Sequence, residues 1–418
     1  MTRRLLRGVR PYGAAPMDVL IEGGIITSIT PAATPGPLVL LPGFVDLHTH
    51  LREPGGEEAE TILTGTRAAA AGGYTAVVAM ANTAPVIDTP ALVRRVLAAE
   101  AHADVHPVSA ITHGLAGTSL VDMEPMAEEG VRVFSDDGRC LADPALMRTA
   151  LRRAGRSGLL VAQHAQDPVL AGGDTRALDR TGVVLDVQEW PALAEAVIVA
   201  RDVLLASDSG ARLHICHVST RASVEVLRWA KSRGLPVTAE VTPHHLTLTE
   251  ADAAGRDPRY KMNPPLRAPD DVRALREALA EGIIDVVATD HAPHPADRKA
   301  LPWPQAPFGV IGLETALPVV VEAMRSFWPP GDGPSWEQVA RVMSTEPARL
   351  AGIGERHGRP IAVGEPAHLC LVDPGADAPV TLYGRSANTP FAGRSFGVRV
   401  VATLRAGEPT HDPDEALD

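Results

Sequence analysis

His48 and His50 stand two apart at the end of the apolar run Gly43-Phe44-Val45-Asp46-Leu47. Successive side chains of a strand point to opposite faces, so both imidazoles lie on one side and can reach a single ion, while Thr49 points away. Asp46 shares their face, Arg52 follows just beyond the strand, and Pro54-Gly55 end the run in a turn. A lone His-x-His fits two half-exposed strand histidines as well as it fits a metal site. Recurrence decides between them: other apolar runs also end in residues fit for chemistry, at Asn82, Asp136-Asp137, His164, His217, His244-His245 and Asp290. If those runs are neighbouring strands, His48, His50, His164, His217 and at least two carboxylates converge on one rim. Such a nitrogen and oxygen donor set, without thiolate, suits two divalent ions, and zinc is the favoured metal. Cys216 precedes His217 and should face the other side of its strand as a small buried residue. His244 and His245 are expected to be supporting or structural, since the donor set is already full, and Asp136 to stand behind the donors. The remaining histidines, such as His106, His357 and His368, are read as ordinary.

The elements that must position these residues alternate. A strand over 44–48 is followed by a helical pattern over 57–71 that ends at Gly72-Gly73, and then by a strand over 74–80. Strand-like runs recur at 105–111, 131–135, 159–163, 212–216, 236–241 and 283–289, with helical stretches such as 192–205 and 221–233 between them. About eight such units predict an α/β fold of the (β/α)8 TIM-barrel type, closed by helices over 313–324 and 336–350. Barrel enzymes build their sites at the C-terminal ends of the strands, which is where the polar residues above fall. Before and after the barrel the pattern is β, at 17–30, 38–41, 368–372 and 397–404, so the two chain ends are expected to pair in one small flanking β domain. The division is 1–43 and 355–418 for that domain and 44–354 for the barrel.

Bulk properties narrow the classes. With 418 residues, 45% of them hydrophobic, the chain can bury a large core. Its formal charge of −12 gives no electrostatic footprint for nucleic acid, so an anionic substrate needs locally placed arginine. Cys140, Cys216 and Cys370 are too few and too scattered for a disulfide framework, no signal core follows the first residues, and no stretch approaches the ~20 apolar residues of a membrane span. The cytoplasm is the expected location, with no membrane partner.

The run Gly43-Phe44-Val45-Asp46-Leu47-His48-Thr49-His50-Leu51-Arg52-Glu53-Pro54-Gly55-Gly56 resembles the signature of the amidohydrolase superfamily and, within it, of type I dihydroorotases. The likeness extends, in order, through Asn82-Thr83, Phe134-Ser135-Asp136-Asp137-Gly138, Ile215-Cys216-His217-Val218-Ser219-Thr220, Lys261-Met262-Asn263-Pro264-Pro265-Leu266-Arg267, Ala288-Thr289-Asp290-His291-Ala292-Pro293-His294 and Ala306-Pro307-Phe308-Gly309. It implies that His48, His50 and Asp290 hold one metal, that His164 and His217 hold a second, and that Asp137 bridges them, with one or two zinc ions per subunit. It further implies that Arg52, Asn82 and His294 hold the substrate carboxylate, that Asn263 touches substrate, and that Pro307-Phe308-Gly309 closes over the ring through backbone groups. Two departures stand out: Ala81 replaces the usual proline before Asn82, and Gln163-His164-Ala165-Gln166-Asp167 alters the surroundings of His164.

The activity so implied is reversible closure of N-carbamoyl-L-aspartate to L-dihydroorotate with loss of water, the third step of pyrimidine synthesis, with Asp290 moving the proton. Hydantoinases, dihydropyrimidinases and allantoinases, the alternative cyclic amidohydrolases, bridge their metals with a carboxylated lysine. Lysine occurs here only at Lys231, Lys261 and Lys299, all beyond His217, so the bridge falls to Asp137. A second alternative is a non-catalytic dihydroorotase-like partner of aspartate carbamoyltransferase, but such a chain should have lost donors that this one keeps. A homodimer and a complex with aspartate carbamoyltransferase are the assemblies that the resemblance suggests.

Overall fold

The computed structural model describes residues 3–172, 190–327 and 335–417. Two parallel sheets form the centre. One joins Phe44–Thr49, Tyr74–Ala79 and Asp104–Pro107; the other orders Val133–Ser135, Leu160–Gln163, Arg212–Ile215, Val237–Val241 and Val286–Val287 as in the sequence. These strands are nearly continuous apolar runs because helices cover their outer face and side chains of opposite strands fill the inner one. All six residues of Phe44–Thr49 and of Tyr74–Ala79 are buried. At one seam Ser109 pairs with Phe134 in a parallel bridge; at the other Thr49 pairs with His291 and His50 N donates to His291 O at 2.9 Å. Asp46 reinforces the second seam by accepting from Thr289 N at 2.8 Å and from the hydroxyls of Thr49 and Thr289.

The helices connect successive strands. Ile62–Ala71 starts later than the expected position 57, because Thr61 and Thr64 form a reciprocal cap there. Glu60, just before that cap, turns inward to accept from Arg385 N. Leu193–Ser209 and Arg221–Ser232 follow two later strands, the second capped by the Thr220 hydroxyl on Ser223 N at 3.2 Å. The strand Val286–Val287 is shorter than expected, since the backbone of Thr289 is spent on Asp46 rather than on a neighbouring strand.

A separate seven-stranded sheet draws on both chain ends. Its order is Glu408–His411, Arg399–Arg405, Leu369–Asp373, Val39–Pro42, Arg3–Pro11, Met17–Glu22 and Ile25–Pro31. The join between the two ends is the antiparallel pair in which Cys370 faces Leu41. Leu6, Val19, Ile21, Leu40, Leu371 and Leu404 form its own apolar cluster. The strand Arg3–Pro11 was not anticipated from its arginine-rich sequence; the exposed and buried positions along it explain the mixture.

Candidate metal centre

Five of the eight parallel strands lead into polar residues that meet. His48 is the penultimate residue of Phe44–Thr49 and His50 follows the strand, Asp137 lies two beyond Val133–Ser135, His164 follows Leu160–Gln163, His217 lies two beyond Arg212–Ile215, and Asp290 lies three beyond Val286–Val287. All six are buried. Asp137 Oδ1 lies 3.4 Å from His48 Nε2, 3.4 Å from His164 Nδ1 and 3.5 Å from His217 Nε2, while its Oδ2 is 3.4 Å from His50 Nε2. Asp290 Oδ1 lies 3.5 Å from His48 Nε2 and 3.0 Å from His50 Nε2. Apart from the 3.0 Å hydrogen bond between His50 and Asp290, these spacings are long for hydrogen bonds, but two ligands on one tetrahedral ion at ~2.0–2.1 Å stand about 3.4 Å apart. His48 Nε2 and Asp137 Oδ1 are buried with no hydrogen-bond partner, although such atoms are rarely left so. The arrangement therefore fits a divalent cation, with His48, His50 and Asp290 as one possible donor group and His48, Asp137 and His217 as another.

Electrostatics point the same way. Burial opposes charge on His48, yet Asp137, Glu240 and Asp290 push its pKa well above the ordinary value. Burial would raise the carboxyls of Asp137 and Asp290, and the surrounding imidazoles instead hold both well below the usual range. The cluster attracts positive charge. Its backbone is also held in place: Arg52, His217 and Asp290 have φ of 61°, 34° and 47°, left-handed conformations that cost a side-chain-bearing residue ~1–3 kcal/mol unless the surroundings enforce them.

Glu240, which the sequence reading passed over, provides part of that enforcement. Its Oε1 accepts from His48 Nδ1 at 2.6 Å and from His217 N at 3.1 Å, and its Oε2 accepts from His214 Nε2 at 3.0 Å. One carboxylate thus fixes the tautomer of one donor and the backbone of another. Burial alone would raise its pKa, but the imidazoles of His48 and His214 hold it at about 2. A signal existed, since an acid inside the run Val237-Thr238-Ala239-Glu240-Val241 must be buried and so needs partners. Gln166 acts similarly on the altered stretch: its Oε1 accepts from His164 Nε2 at 3.0 Å and so turns Nδ1 inward.

The residues expected to hold substrate surround this centre. Asn82 Oδ1 accepts from His50 Nδ1 at 2.8 Å, and Asn263 Nδ2 donates to Gln166 at 2.9 Å. Arg52 donates Nε to Pro293 O at 3.1 Å; burial lowers its pKa to about 10, which leaves it cationic at neutral pH. His294 donates Nε2–H to Phe308 O, and burial, with Arg52 and Lys299 nearby, drives its pKa down to about 3. It can donate to a carboxylate only once that bond is released or the ring is protonated. Pro307-Phe308-Gly309 is beside it, with Gly309 at φ 124° and packed on Ala292.

Three expectations outside the donor set can be placed. Asp136 does not stand behind the donors; it accepts from Ile111 N and Thr112 N at 2.8 and 2.9 Å and anchors that loop. His245 is structural, bonded to Thr242 Oγ1 and Pro264 O. Cys216 is buried, but it does not turn away from the cluster: its sulfur lies within 4.8 Å of ligand atoms of His48 and Glu240, and burial raises its thiol pKa.

The Dihydro-orotase-like family profile matches residues 37–223. The chain is 50% identical to the dihydroorotase of Streptomyces coelicolor, covering 98% of both chains, and 51% identical to that of Mycobacterium tuberculosis, covering 97% of both. This chain belongs to the dihydroorotase family. Its fold is shared more widely: dihydropyrimidinase from Brevibacillus agri superposes with a TM-score of 0.83 at 25% identity over 98% of this chain and 95% of that one. L-hydantoinase from Arthrobacter aurescens gives 0.84 at 23% identity, over 98% and 96%. As a dihydroorotase relative it is a cyclic amidohydrolase acting on a small molecule, and its three lysines are bonded elsewhere than in the histidine–aspartate cluster. Lys231 bonds Asp285 at 2.6 Å, and Lys261 and Lys299 bond loop carbonyls. Among the described residues no helix is long and apolar enough to cross a membrane.

Proposed function

We propose that the six convergent donors form the catalytic centre of the dihydroorotase reaction, L-dihydroorotate plus water to N-carbamoyl-L-aspartate and back. The carrying observation is the set of 3.4–3.5 Å spacings around the unpartnered Asp137 Oδ1 and His48 Nε2. In this reading zinc is the metal, His48, His50 and Asp290 hold one ion, His164 and His217 the other, and Asp137 lies between them. When bound, the ions supply Lewis-acid polarisation of the ring amide and lower the pKa of water toward ~7. The chain does the rest. Asp290, opposite His50, accepts the proton of the attacking water and delivers it to the departing ring nitrogen; in the synthetic direction it takes that proton from the carbamoyl nitrogen. Arg52 offers a planar fork to the α-carboxylate, Asn82 and His294 flank it, and Asn263 contacts the substrate from the side of His164. Pro307-Phe308-Gly309 covers the ring and keeps bulk water out.

We further read the two parallel sheets, with their bridged seams, as one (β/α)8 barrel over 44–354, and the seven-stranded sheet as a flanking domain from 1–43 and 355–418. Location in the cytoplasm is consistent with the three unpaired cysteines. The test is metal content measured together with turnover of both substrates: a chelated sample should lose activity and regain it with zinc. Full activity in a verified metal-free sample would end this reading.

A further inference from the structure

Of the 39 lysine and arginine residues in this chain, only three are lysines, and two of those lie in the same place. Lys261 and Lys299 are both buried beside the segment Leu301-Pro302-Trp303-Pro304-Gln305-Ala306-Pro307-Phe308-Gly309. Three prolines deprive that segment of N–H donors, so its carbonyls cannot all be met by its own backbone. The lysines meet them. Lys261 Nζ donates to Trp303 O at 2.6 Å and to Ala306 O at 2.7 Å, with the Phe308 ring 4.8 Å away. Lys299 Nζ donates to Pro307 O at 2.9 Å, Gly309 O at 2.7 Å and Lys261 O at 3.0 Å, which ties the two lysines together. Phe308 O, between them, is taken by His294.

An ammonium carries three donors on one small centre and can gather three converging carbonyls; the flat guanidinium fork cannot, which accounts for lysine in so arginine-rich a chain. We propose that Lys261 and Lys299 are positioning residues for the substrate-covering loop, gathering the carbonyls of 303, 306, 307 and 309 so that Pro307-Phe308-Gly309 is preshaped to close on the ring. The inference rests on reading that loop as the cover. The bonds given above from both ammonium groups go to backbone carbonyls, so binding of substrate should suffer while the metal centre stays intact.

The test uses Lys261→Met and Lys299→Met in the zinc-loaded enzyme, with Lys231→Met, which breaks an ion pair to Asp285 outside this segment, as the control. Expected are a rise in KM for dihydroorotate of ~10-fold or more, kcat within a few-fold, unchanged zinc content, and faster amide exchange across 301–309. Unchanged exchange in that segment would overturn the role of the lysines. Faster exchange with unchanged KM would overturn the proposal by showing that the loop does not cover substrate. Should the variants fail to fold, the wild-type chain labelled with 15N at lysine Nζ serves: two of its three ammonium signals should be protected from solvent and shift when dihydroorotate binds. Three solvent-averaged signals, or protected signals that ignore the ligand, would refute it.

Discussion

Replacing Glu240 by glutamine isolates what a buried carboxylate does behind His48, a proposed metal ligand. The amide is nearly isosteric, and its oxygen can still accept from His48 Nδ1 and His217 N, as Oε1 now does at 2.6 and 3.1 Å. Its NH2 would replace Oε2 opposite His214 Nε2, which can turn acceptor if Nδ1–H donates to Thr238 Oγ1, 2.9 Å away. Hydrogen bonds therefore survive and only the charge is lost. Removing such a supporting partner typically weakens metal binding ~10–100-fold, about 1.4–2.7 kcal/mol. Competition with a chromogenic chelator should show that loss in Glu240→Gln, while urea unfolding of the metal-free protein stays within ~1 kcal/mol of the parent. Glu240→Leu should be far worse, because His48, His214 and His217 N would each lose an acceptor at ~1–3 kcal/mol apiece. Zinc binding by Glu240→Gln within two-fold of the parent would refute the argument that the charge tunes His48.

Asp290→Asn should lower kcat by at least ~10²–10⁴-fold while dihydroorotate still binds, since a proton acceptor is lost and a donor weakened; turnover within a few-fold of the parent would show the role misassigned. Arg52→Lys should raise KM more than it lowers kcat, and an unchanged KM would count against the carboxylate fork. Metal-stripped enzyme should regain activity with zinc equally well with or without bicarbonate, because no lysine lies near the donors to be carboxylated; bicarbonate stimulation would contradict an Asp137 bridge. Acid should loosen the far end of the parallel strands. Burial and the neighbouring His357 push His106 down to about 4 and His368 to about 3. A base with a lowered folded pKa contributes fully above the unfolded value near 6.5 and loses that contribution as pH falls toward 4, up to about 2 kcal/mol each at pH 5 before screening. Between pH 7.5 and 5 the urea midpoint of His368→Gln should fall less than that of the parent, and equal falls would refute the linkage.

The donor residues were legible because parallel strands buried on both faces are so uniformly apolar that a polar residue at their end stands out. His48, Asp137, His164, His217 and Asp290 each interrupt such a run, and the structure brings them together. What sequence could not supply was the pairing of polar groups far apart in the chain. Glu240 reaches back 192 positions to His48, and Asp46 reaches forward 243 to Thr289. Nothing local marks such partners, which is why the sequence alone does not reveal that Asp136 holds Ile111 and Thr112. Strand ends were overextended for a related reason, since rim backbone such as that of Thr289 is bonded to side chains instead of strands.

The seam at Asp46 also fixes an order of events during synthesis. His48 and His50 leave the ribosome early, but Thr289, Asp290 and His291 follow about 240 residues later, roughly 10–50 s at ~5–20 residues per second. The strand Val39–Pro42 waits longer still for Leu369–Asp373. Until then the first histidine pair lacks Asp290, whose Oδ1 lies 3.0 Å from His50 Nε2 in the finished fold, so the donor group is incomplete. On the proposed assignment the donor set is completed only late in synthesis, and a nascent chain halted before Asp290 should bind zinc more weakly than the full chain.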